Sequence, residues 1–319
     1  MALSKKRKFA EDVRQIVEER FQFTLPEDML DIYTLASEIN SNYPLLAFEP
    51  LKIRLVGPFE VLHDSLAKTD AHTWRFWADP PEVTTVAVDI ENGTHFAYFR
   101  DSPGELPVGI VSARKGSNKF AFVAASISAL LKIKMVGPPT EEKSIALLRS
   151  YLSRVPKALL ESASWRAREA RLVGSTSLGL GVCVRYDKKR QTGYRALLVS
   201  KKELRRMFEG IKQKTGVEKN RRKLEEVFNW VNIGNDEMDF GQGFELGCEL
   251  FAADSPSDEQ PVAFCKAASI FLRNAYSLLG RQAWIAVLEA AIEGMKKMSA
   301  QRNRDGMPEA LKGSYLDSK

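Results

Sequence analysis

The sequence predicts an α+β fold with two domains. Strand patterns lie mainly between residues 51 and 101, whereas helical patterns precede and follow them. Segregation of the two kinds of element favours α+β over a doubly wound sheet, in which strands and helices alternate. With 319 residues, 44% of them hydrophobic, the chain is long and apolar enough for two packed cores. We expect a mixed, antiparallel-sheet domain first and a mainly helical domain with a β-hairpin second.

The first half shows both periodicities. Apolar residues at helical spacing predict a helix over residues 9–21, and Thr24 is placed to cap a second helix through "EDMLDIYTLASEI", with Pro26 in its first turn. The segments "LKIRLVG", "HTWRFW" and "VTTVAVDI" read as strands. The last pairs with "THFAYFR" across "ENG", a turn that tight hairpins prefer. From residue 118, "NKFAFVAASISALLKIKM" predicts a return to helix.

The paired prolines of "VGPPTEEK", residues 136–143, predict the domain boundary, because proline stops a helix. We predict a basic flexible tail over residues 1–8, an N-terminal domain over 9–138, a C-terminal domain over 139–300 and a second flexible tail over 301–319. In the C-terminal domain "LGLGVCVRYD" and "GYRALLVS" predict a hairpin. Helices are expected around residues 201–213, 218–232, 240–252 and 259–298, with Gly280 dividing the last.

Charge and cysteine content exclude several classes of protein. The net charge is +6, but the basic residues form local clusters instead of alternating with aromatic residues, so we expect no strong direct binding of nucleic acid. No apolar stretch is long enough to span a membrane, and no secretory signal is present, so we expect a soluble intracellular protein. "KKRK" at residues 5–8 is typical of a nuclear address or of a solvated tail. The three cysteines lack the spacing of a zinc site or disulfide framework.

Familiar catalytic motifs are missing. Gly179-Leu180-Gly181 is only half of a dinucleotide-binding signature and lies inside a strand pattern. None of the three histidines follows or precedes a nucleophile-elbow motif. We therefore expect that this chain binds no cofactor and no metal of its own.

Three carboxylates crowd the segment "NDEMDFGQGFELGCELF", residues 235–251. Asp239 is placed to cap the next helix in a capping box with Gln242. Glu237 then lies in the approach loop beside Asp236, near a helix N-terminus, where crowding can tune a carboxylate for general-base catalysis. A solvated acidic helix start is the alternative, and the residues alone favour it. The apolar stripe of this helix is Phe244, Gly247, Cys248 and Phe251.

Tyr194-Arg195 is the second unusual feature. Arg195 precedes an unbroken apolar run, so it reads as a strand end that delivers a guanidinium group to a surface. That group can pair with the acidic loop or reach a carboxylate of a partner. An ordinary arginine at a strand edge is the alternative.

Six blocks in order resemble the histone PARylation factor 1 family. They are "LPEDMLDIY" (25–33), "LVGPFEVL" (55–62), "HTWRFWADPPE" (72–82), "HFAYFRDSPGELP" (95–107), "GYR" (193–195) and "NDEMDFGQGFELGCELF" (235–251). The resemblance implies an accessory factor that is no enzyme on its own. It would bind the DNA-damage-activated poly(ADP-ribose) polymerases 1 and 2 and complete their active site.

The resemblance also implies roles for the residues. Glu237 would be the general base that deprotonates an acceptor serine, and the NAD would be bound by the partner polymerase. Asp236, Arg195 and Tyr194 would bind that partner. Together with Asp239, the acidic residues would favour serines next to lysine, as in histone tails. We expect a monomer in the nucleus, at chromatin and sites of DNA damage.

Three residues depart from the family pattern: Met238 replaces a cysteine, Ile233 replaces an aromatic residue, and Ala196 replaces an acidic residue. The first half also resembles, distantly, the SUKH-type binding domains. The alternative function is therefore a non-catalytic nuclear interaction module of the SUKH type, whose acidic loop binds basic peptides.

Overall fold

Strands and helices are segregated along the chain, and the predicted α+β class is confirmed. The computed structural model describes residues 2–135, 143–255 and 262–305. The chain divides into two compact units, Met1–Phe76 with Pro81–Glu169 and Trp77–Pro80 with Ala170–Lys319. The predicted boundary at residue 138 lies outside the described residues, and the domain limits stay a prediction.

In the first unit, helices precede and follow the strands of one sheet along the chain. Helices α1 (Ala2–Phe21) and α2 (Glu27–Ile39) come first, and short 3-10 turns at Pro44–Leu46 and Glu49–Leu51 lead to the sheet. The strands are β1 (Ile53–Leu55), β2 (Val83–Asp89), β3 (His95–Phe99), β4 (Gly109–Ala113) and β5 (Ala121–Ala124), with α3 (Pro58–His63) between the first two. Helices α4 (Ile127–Lys134), α5 (Lys143–Leu152), α6 (Lys157–Leu160) and α7 (Ala163–Glu169) follow.

The sheet has the strand order β1-β2-β3-β4-β5, and every neighbouring pair is antiparallel. Each strand pairs with the next one in the chain, so the connections are local. The predicted tight turn joins β2 to β3, where Gly93 has a φ of 69° that favours glycine. Buried residues of α2, such as Met29 and Ile32, belong to the same core cluster as Val86 and Tyr98 of the sheet.

Three local predictions in this unit are wrong. Residues 72–77 form turns rather than a strand, and the backbone of Trp74 is left-handed with a φ of 52°. The predicted helix from residue 118 starts only at Ile127, because β5 occupies its first part and Ser126 caps α4 by accepting a hydrogen bond from the Ala129 N–H. Thr24 caps no helix, since its hydroxyl donates to the carbonyl of Gly104.

The second unit is helical, as predicted. Its helices are α8 (Lys201–Lys212), α9 (Val217–Asp236), α10 (Phe240–Ala253), α11 (Cys265–Leu278) and α12 (Trp284–Asp305). Every residue of α10 from Gly241 to Phe251 is buried, so the predicted apolar stripe is part of a helix that is enclosed on all sides. A helix with polar residues on all sides could not occupy this place.

The predicted hairpin of the second unit is not formed as a ladder. Between residues 170 and 200 the described structure has only two isolated bridges, Gly174 with Val182 and Asp187 with Thr192. The second bridge is the tip of the predicted hairpin. Beyond it, the backbone of Gly193 bonds to α10 instead of to a partner strand. No described helix is long and apolar enough to cross a membrane.

Candidate functional site: the junction of helices α9 and α10

The acidic residues 236–239 form the tight turn that joins α9 to α10. Met238 lies in the left-handed region with a φ of 68°. Its N–H donates to the carbonyl of Asn235 at 3.1 Å, and the N–H of Asp239 donates to the carbonyl of Gly234 at 2.7 Å. These two bonds are the pattern of a Schellman motif, which terminates α9 and fixes the backbone of the turn.

Glu237 closes α9 as its C-cap residue. The sequence places Glu237 in a loop before a helix N-terminus, but α9 extends to Asp236 instead of ending near 232. The predicted end of this helix is therefore wrong, and Asp236 and Glu237 lie at the negative end of the α9 dipole as well as directly before α10. Carboxylates are unfavourable at that end of α9, so the stability of α9 does not explain why they are there.

Arg195 contacts two of the three carboxylates. Its Nη2 atom donates a hydrogen bond to Oε2 of Glu237 and lies 3.1 Å from Oδ2 of Asp239. The side chain of Glu237 is 54% exposed, whereas that of Asp239 is only 2% exposed. The guanidinium carbon also lies 5.3 Å from the centre of the Trp230 ring, within the range of a cation–π contact. Arg195 thus has a buried partner and a partner at the surface.

Asp239 holds the Arg195 segment instead of capping α10. It is the N-cap residue, but its side chain makes no capping bond, so the predicted capping box is wrong. Its Oδ1 atom accepts a hydrogen bond from the N–H of Gly193 at 3.0 Å. The amide of Gln242, the other predicted member of the box, donates to the carbonyl of Ala196 at 2.8 Å. Because Asp239 is buried, it contributes no carboxylate to the exposed acidic surface.

Residues 193–196, which we call the strap, run along the start of α10. Besides the bond that Gly193 donates to Asp239 and the one that Gln242 donates to Ala196, the N–H of Gly241 donates to the carbonyl of Gly193 at 2.9 Å. Gly193 has a φ of 109°, and a Cβ atom there would lie 2.1 Å from the carbonyl oxygen of Arg185. Only glycine fits this position, which explains the first residue of the "GYR" block.

Tyr194 anchors the strap to a buried ionic cluster. Its hydroxyl donates to Oε2 of Glu245 at 2.8 Å, and Nζ of Lys201 lies 3.5 Å from both Glu245 and Glu249. Ser177 donates its N–H to Glu249 at 2.7 Å, and its hydroxyl also donates to that residue. Burial raises the pKa of Glu245, and burial together with the charge of Glu245 raises the pKa of Tyr194. The Tyr194 hydroxyl therefore acts as a hydrogen-bond donor and not as a base.

The surface around Glu237 is acidic and apolar. Asp236 is exposed beside it. Met238 is 61% exposed and Ile233 is 49% exposed, and these are two of the three residues that depart from the family pattern. Exposed apolar side chains beside charged ones are typical of a surface that meets another protein.

The comparisons with known proteins identify the family. The model of the histone PARylation factor 1 family matches residues 12–294. The chain belongs to the histone PARylation factor 1 family. It is 32% identical to histone PARylation factor 1 of Mus musculus over 89% of each chain, and 31% identical to that of Bos taurus over 88% of this chain and 86% of the other. It is 28% identical to that of Danio rerio over 93% of this chain and 88% of the other.

Sequence reasoning missed two residues of the site in this member of the histone PARylation factor 1 family. Trp230 lies two helical turns before Glu237 on the same face of α9. The seven-residue spacing would indicate this, but the helix predicted from the sequence ends near residue 232 and does not reach Glu237. Glu245 left no local signal, because a buried carboxylate reads like any acidic residue of a helix. Within the described residues, no three His, Cys, Asp or Glu side chains form a group suited to a metal ion. The three cysteines are buried and form no disulfide with one another.

Proposed function

We propose that this chain is an accessory factor in the ADP-ribosylation of histones. It binds poly(ADP-ribose) polymerases 1 and 2 at sites of DNA damage in the nucleus and completes their active site. Membership of the histone PARylation factor 1 family supports the proposal, since the relatives are named for histone PARylation. The observation that supports the mechanism best is the half-exposed carboxylate of Glu237 on a rigid turn, paired with a guanidinium group that is itself partly exposed.

Glu237 is the general base of the proposed reaction. Its carboxylate accepts the hydroxyl proton of an acceptor serine while the serine oxygen forms a bond to C1 of the ribose of NAD held by the polymerase. The bond from that carbon to nicotinamide breaks, and nicotinamide leaves with the electron pair. Serine needs such a base, because its hydroxyl is a weak nucleophile until the proton is removed.

Arg195 and Asp236 bind the polymerase in this proposal, and Tyr194 holds the strap in place. The hydrogen bond from Arg195 occupies one oxygen of Glu237 and stabilises its charged form, so exchange of that bond strengthens Glu237 as a base. The pair between Arg195 and Glu237 is largely solvated, and such pairs stabilise by only about 0 to 1 kcal/mol, so a carboxylate of the polymerase can replace Glu237 at low cost. Asp239 contacts the same Nη2 atom and keeps the guanidinium in place during this exchange.

The exposed carboxylates also select the acceptor. Asp236 and Glu237 attract a lysine beside the serine, as in histone tails, by charge complementarity. Asp239 acts through Arg195 instead, because its own side chain is buried. The chain contributes residues and no cofactor, so it is no enzyme by itself in this proposal.

Glu237→Gln tests the proposed base, and Glu226→Gln is the matched control, since Glu226 is an exposed residue of the same helix. Each variant is incubated with the polymerase, nicked DNA, NAD and a histone peptide that contains Lys-Ser. We expect Glu237→Gln to co-elute with the polymerase but to lower serine modification by about 100-fold or more. The control should retain both properties. Unchanged serine modification by Glu237→Gln would contradict the mechanism.

A non-catalytic interaction module of the SUKH type is the second candidate. The exposed Met238 and Ile233 beside Asp236 favour it, because they offer a mixed apolar and acidic surface to a basic peptide. In that case, adding the chain to a polymerase should change neither the consumption of NAD nor the type of residue modified. Mass-spectrometric assignment of the modified residue separates the two candidates.

A further inference from the structure

Positive charge is concentrated in residues 201–223, which we call the basic hairpin. This segment contains ten Lys and Arg residues against three Glu, a formal charge of +7, whereas the whole chain carries +6. The rest of the protein is therefore close to neutral. Positive charge is more concentrated than the sequence alone indicates, because the fold joins the basic cluster at residues 201–206 to the one at residues 219–223.

The basic hairpin consists of α8, the turn at residues 213–216 and the first two turns of α9. The two helices pack against each other through buried apolar residues, among them Leu204 and Phe208 of α8 and Leu224 and Val227 of α9. Each helix then presents an exposed basic triplet with the same i, i+3, i+4 spacing, which places the triplet on one face of its helix. The triplets are Lys202, Arg205 and Arg206 on α8, and Lys219, Arg222 and Lys223 on α9.

The two clusters lie close together across the hairpin. Hydrogen bonds with Ser200 lower the pKa of Glu203 at the start of α8, and the positive charges of Lys223 and Arg206 lower it further. Lys223 belongs to α9, so its charge reaches the start of α8. Because α8 and α9 also pack against each other, the exposed cations of both helices lie together on one hairpin.

Fold stability does not account for these cations. Lys202 lies in the first turn of α8 and Lys219 in the first turn of α9, at the positive ends of the helix dipoles, where positive charge is unfavourable. Among the ion pairs of the described residues, none involves a member of either triplet. Lys201 is different, because it pairs with the buried Glu245 and Glu249 and has a structural role.

We infer that the basic hairpin binds the phosphate backbone of double-stranded nucleic acid. Neighbouring phosphates on a duplex present closely spaced negative charges that rows of helical Lys and Arg residues can neutralise. The only aromatic residue of the segment, Phe208, is 4% exposed, so the hairpin offers no surface on which unpaired bases can stack. This favours duplex over single strands, without preference for sequence. The inference does not depend on the proposed base or on the polymerase.

The binding is expected to be weak and sensitive to salt. Non-specific contacts of this kind give dissociation constants of about 10⁻⁴ to 10⁻⁶ M at physiological salt, which agrees with the expectation that the chain binds nucleic acid without high affinity. Binding should tighten steeply as the salt concentration falls, since the slope of log K against log [salt] is about −0.9 for each phosphate contacted.

The test uses the full chain and a fluorescent duplex of about 20 base pairs, with anisotropy measured between about 50 and 200 mM salt. The variant Arg205→Gln/Arg206→Gln/Arg222→Gln/Lys223→Gln should bind at least about 10-fold more weakly at low salt, with a slope smaller by about 3. The control Arg185→Gln/Lys188→Gln/Lys189→Gln/Arg190→Gln removes the same charge from another exposed segment of the second unit and should bind like the wild type. A charge-preserving variant, Arg205→Lys/Arg206→Lys/Arg222→Lys, should also retain binding.

Each other outcome overturns the inference. Equal weakening by the control would mean that net charge alone attracts the duplex. Equal or tighter binding of a single strand of the same length, of poly(ADP-ribose) or of an acidic peptide would assign the surface to another partner. Absence of duplex binding at the lowest salt concentration would refute the proposed binding site. Circular dichroism of each variant checks that the helices are intact, so a loss of binding is not a loss of fold.

Discussion

Arg195 and Glu237 form an ion pair at the protein surface although 42 residues separate them in the sequence. The same guanidinium group lies 3.1 Å from the buried Asp239. Arg195 is therefore anchored by a buried carboxylate, while its contact with Glu237 is accessible to solvent. Such an arrangement keeps the arginine in place while leaving its exposed partner free to be exchanged.

The first prediction concerns this arginine. Arg195→Ala should weaken the proposed complex with the polymerase by about 10-fold or more. It should also lower the free energy of unfolding by about 1 to 3 kcal/mol, because Asp239 then stays buried without its cation. Arg195→Lys should recover part of both losses, since lysine keeps the charge but not the planar fork. Calorimetric titration and urea unfolding measure the two effects.

Arg171→Ala is the control for this prediction, because Arg171 is exposed in the second unit and lies outside both the strap and the basic hairpin. It should change neither the complex nor the stability. Equal affinity of Arg195→Ala and the wild type for the polymerase would remove Arg195 from the proposed interface.

The second prediction concerns the turn that carries Glu237. Met238 has a φ of 68°, in the left-handed conformation that costs a non-glycine residue about 1 to 2 kcal/mol. Met238→Gly should raise the free energy of unfolding by about 1 kcal/mol, because glycine adopts this conformation without that penalty. Met238→Ala, the control, keeps the strain and should resemble the wild type. Lower stability of Met238→Gly would show that the exposed methionine makes contacts worth more than the strain.

The third prediction concerns the anchor of the strap. Tyr194→Phe removes the hydroxyl that donates to Glu245, and it should lower the free energy of unfolding by about 1 to 3 kcal/mol, because a buried carboxylate loses a partner. Adding Glu245→Gln should cost less in the Tyr194→Phe background than in the wild type, since the two residues interact directly. A double-mutant cycle by urea unfolding measures the coupling. Strict additivity would show that this hydrogen bond contributes nothing.

The fourth prediction concerns a buried acid of the first unit. Asp28 is fully buried and accepts hydrogen bonds from the N–H and hydroxyl of Ser128, both at 3.2 Å. Burial raises its pKa above the ordinary value of 3.8, although the bonds from Ser128 act against this. The folded state therefore binds this proton more tightly than the unfolded chain, so the contribution of Asp28 to stability falls as the pH rises through the folded pKa.

Removing this carboxyl group makes the pH dependence measurable. The stability of the wild type relative to Asp28→Asn should increase as the pH falls from about 7 to about 4 in a urea-unfolding series. Asp89→Asn is the control. Burial acts to raise the pKa of Asp89, but hydrogen bonds from Lys134 and from neighbouring N–H groups lower it below 3.8. The pH range over which Asp89 changes the stability therefore lies at more acidic pH. A stability of the wild type relative to Asp28→Asn that stays constant or decreases as the pH falls would refute the raised pKa of Asp28.

Several errors share a physical cause. Residues 72–77 are rich in aromatic side chains and look like a strand, and "LGLGVCVRYD" with "GYRALLVS" looks like a hairpin. In both cases tertiary contacts override local propensity. The indole of Trp74 donates to Glu60, and the backbone of Gly193 bonds to Asp239 and Gly241. Whether such a segment forms a strand depends on which residues pack beside it, and the sequence alone does not show which residues those are.

The sequence by itself determined the features that depend on residues close together in the chain. Helical spacing predicted α9 and α10, the turn at Gly93 predicted the β2–β3 hairpin, and six ordered blocks indicated the family. Only the tertiary structure decided that Arg195 meets Glu237, that Asp239 holds the strap instead of capping α10, and that Glu237 is also the residue that closes α9. These contacts depend on how the strap packs against α10, and packing between distant segments has no period that a linear pattern can display.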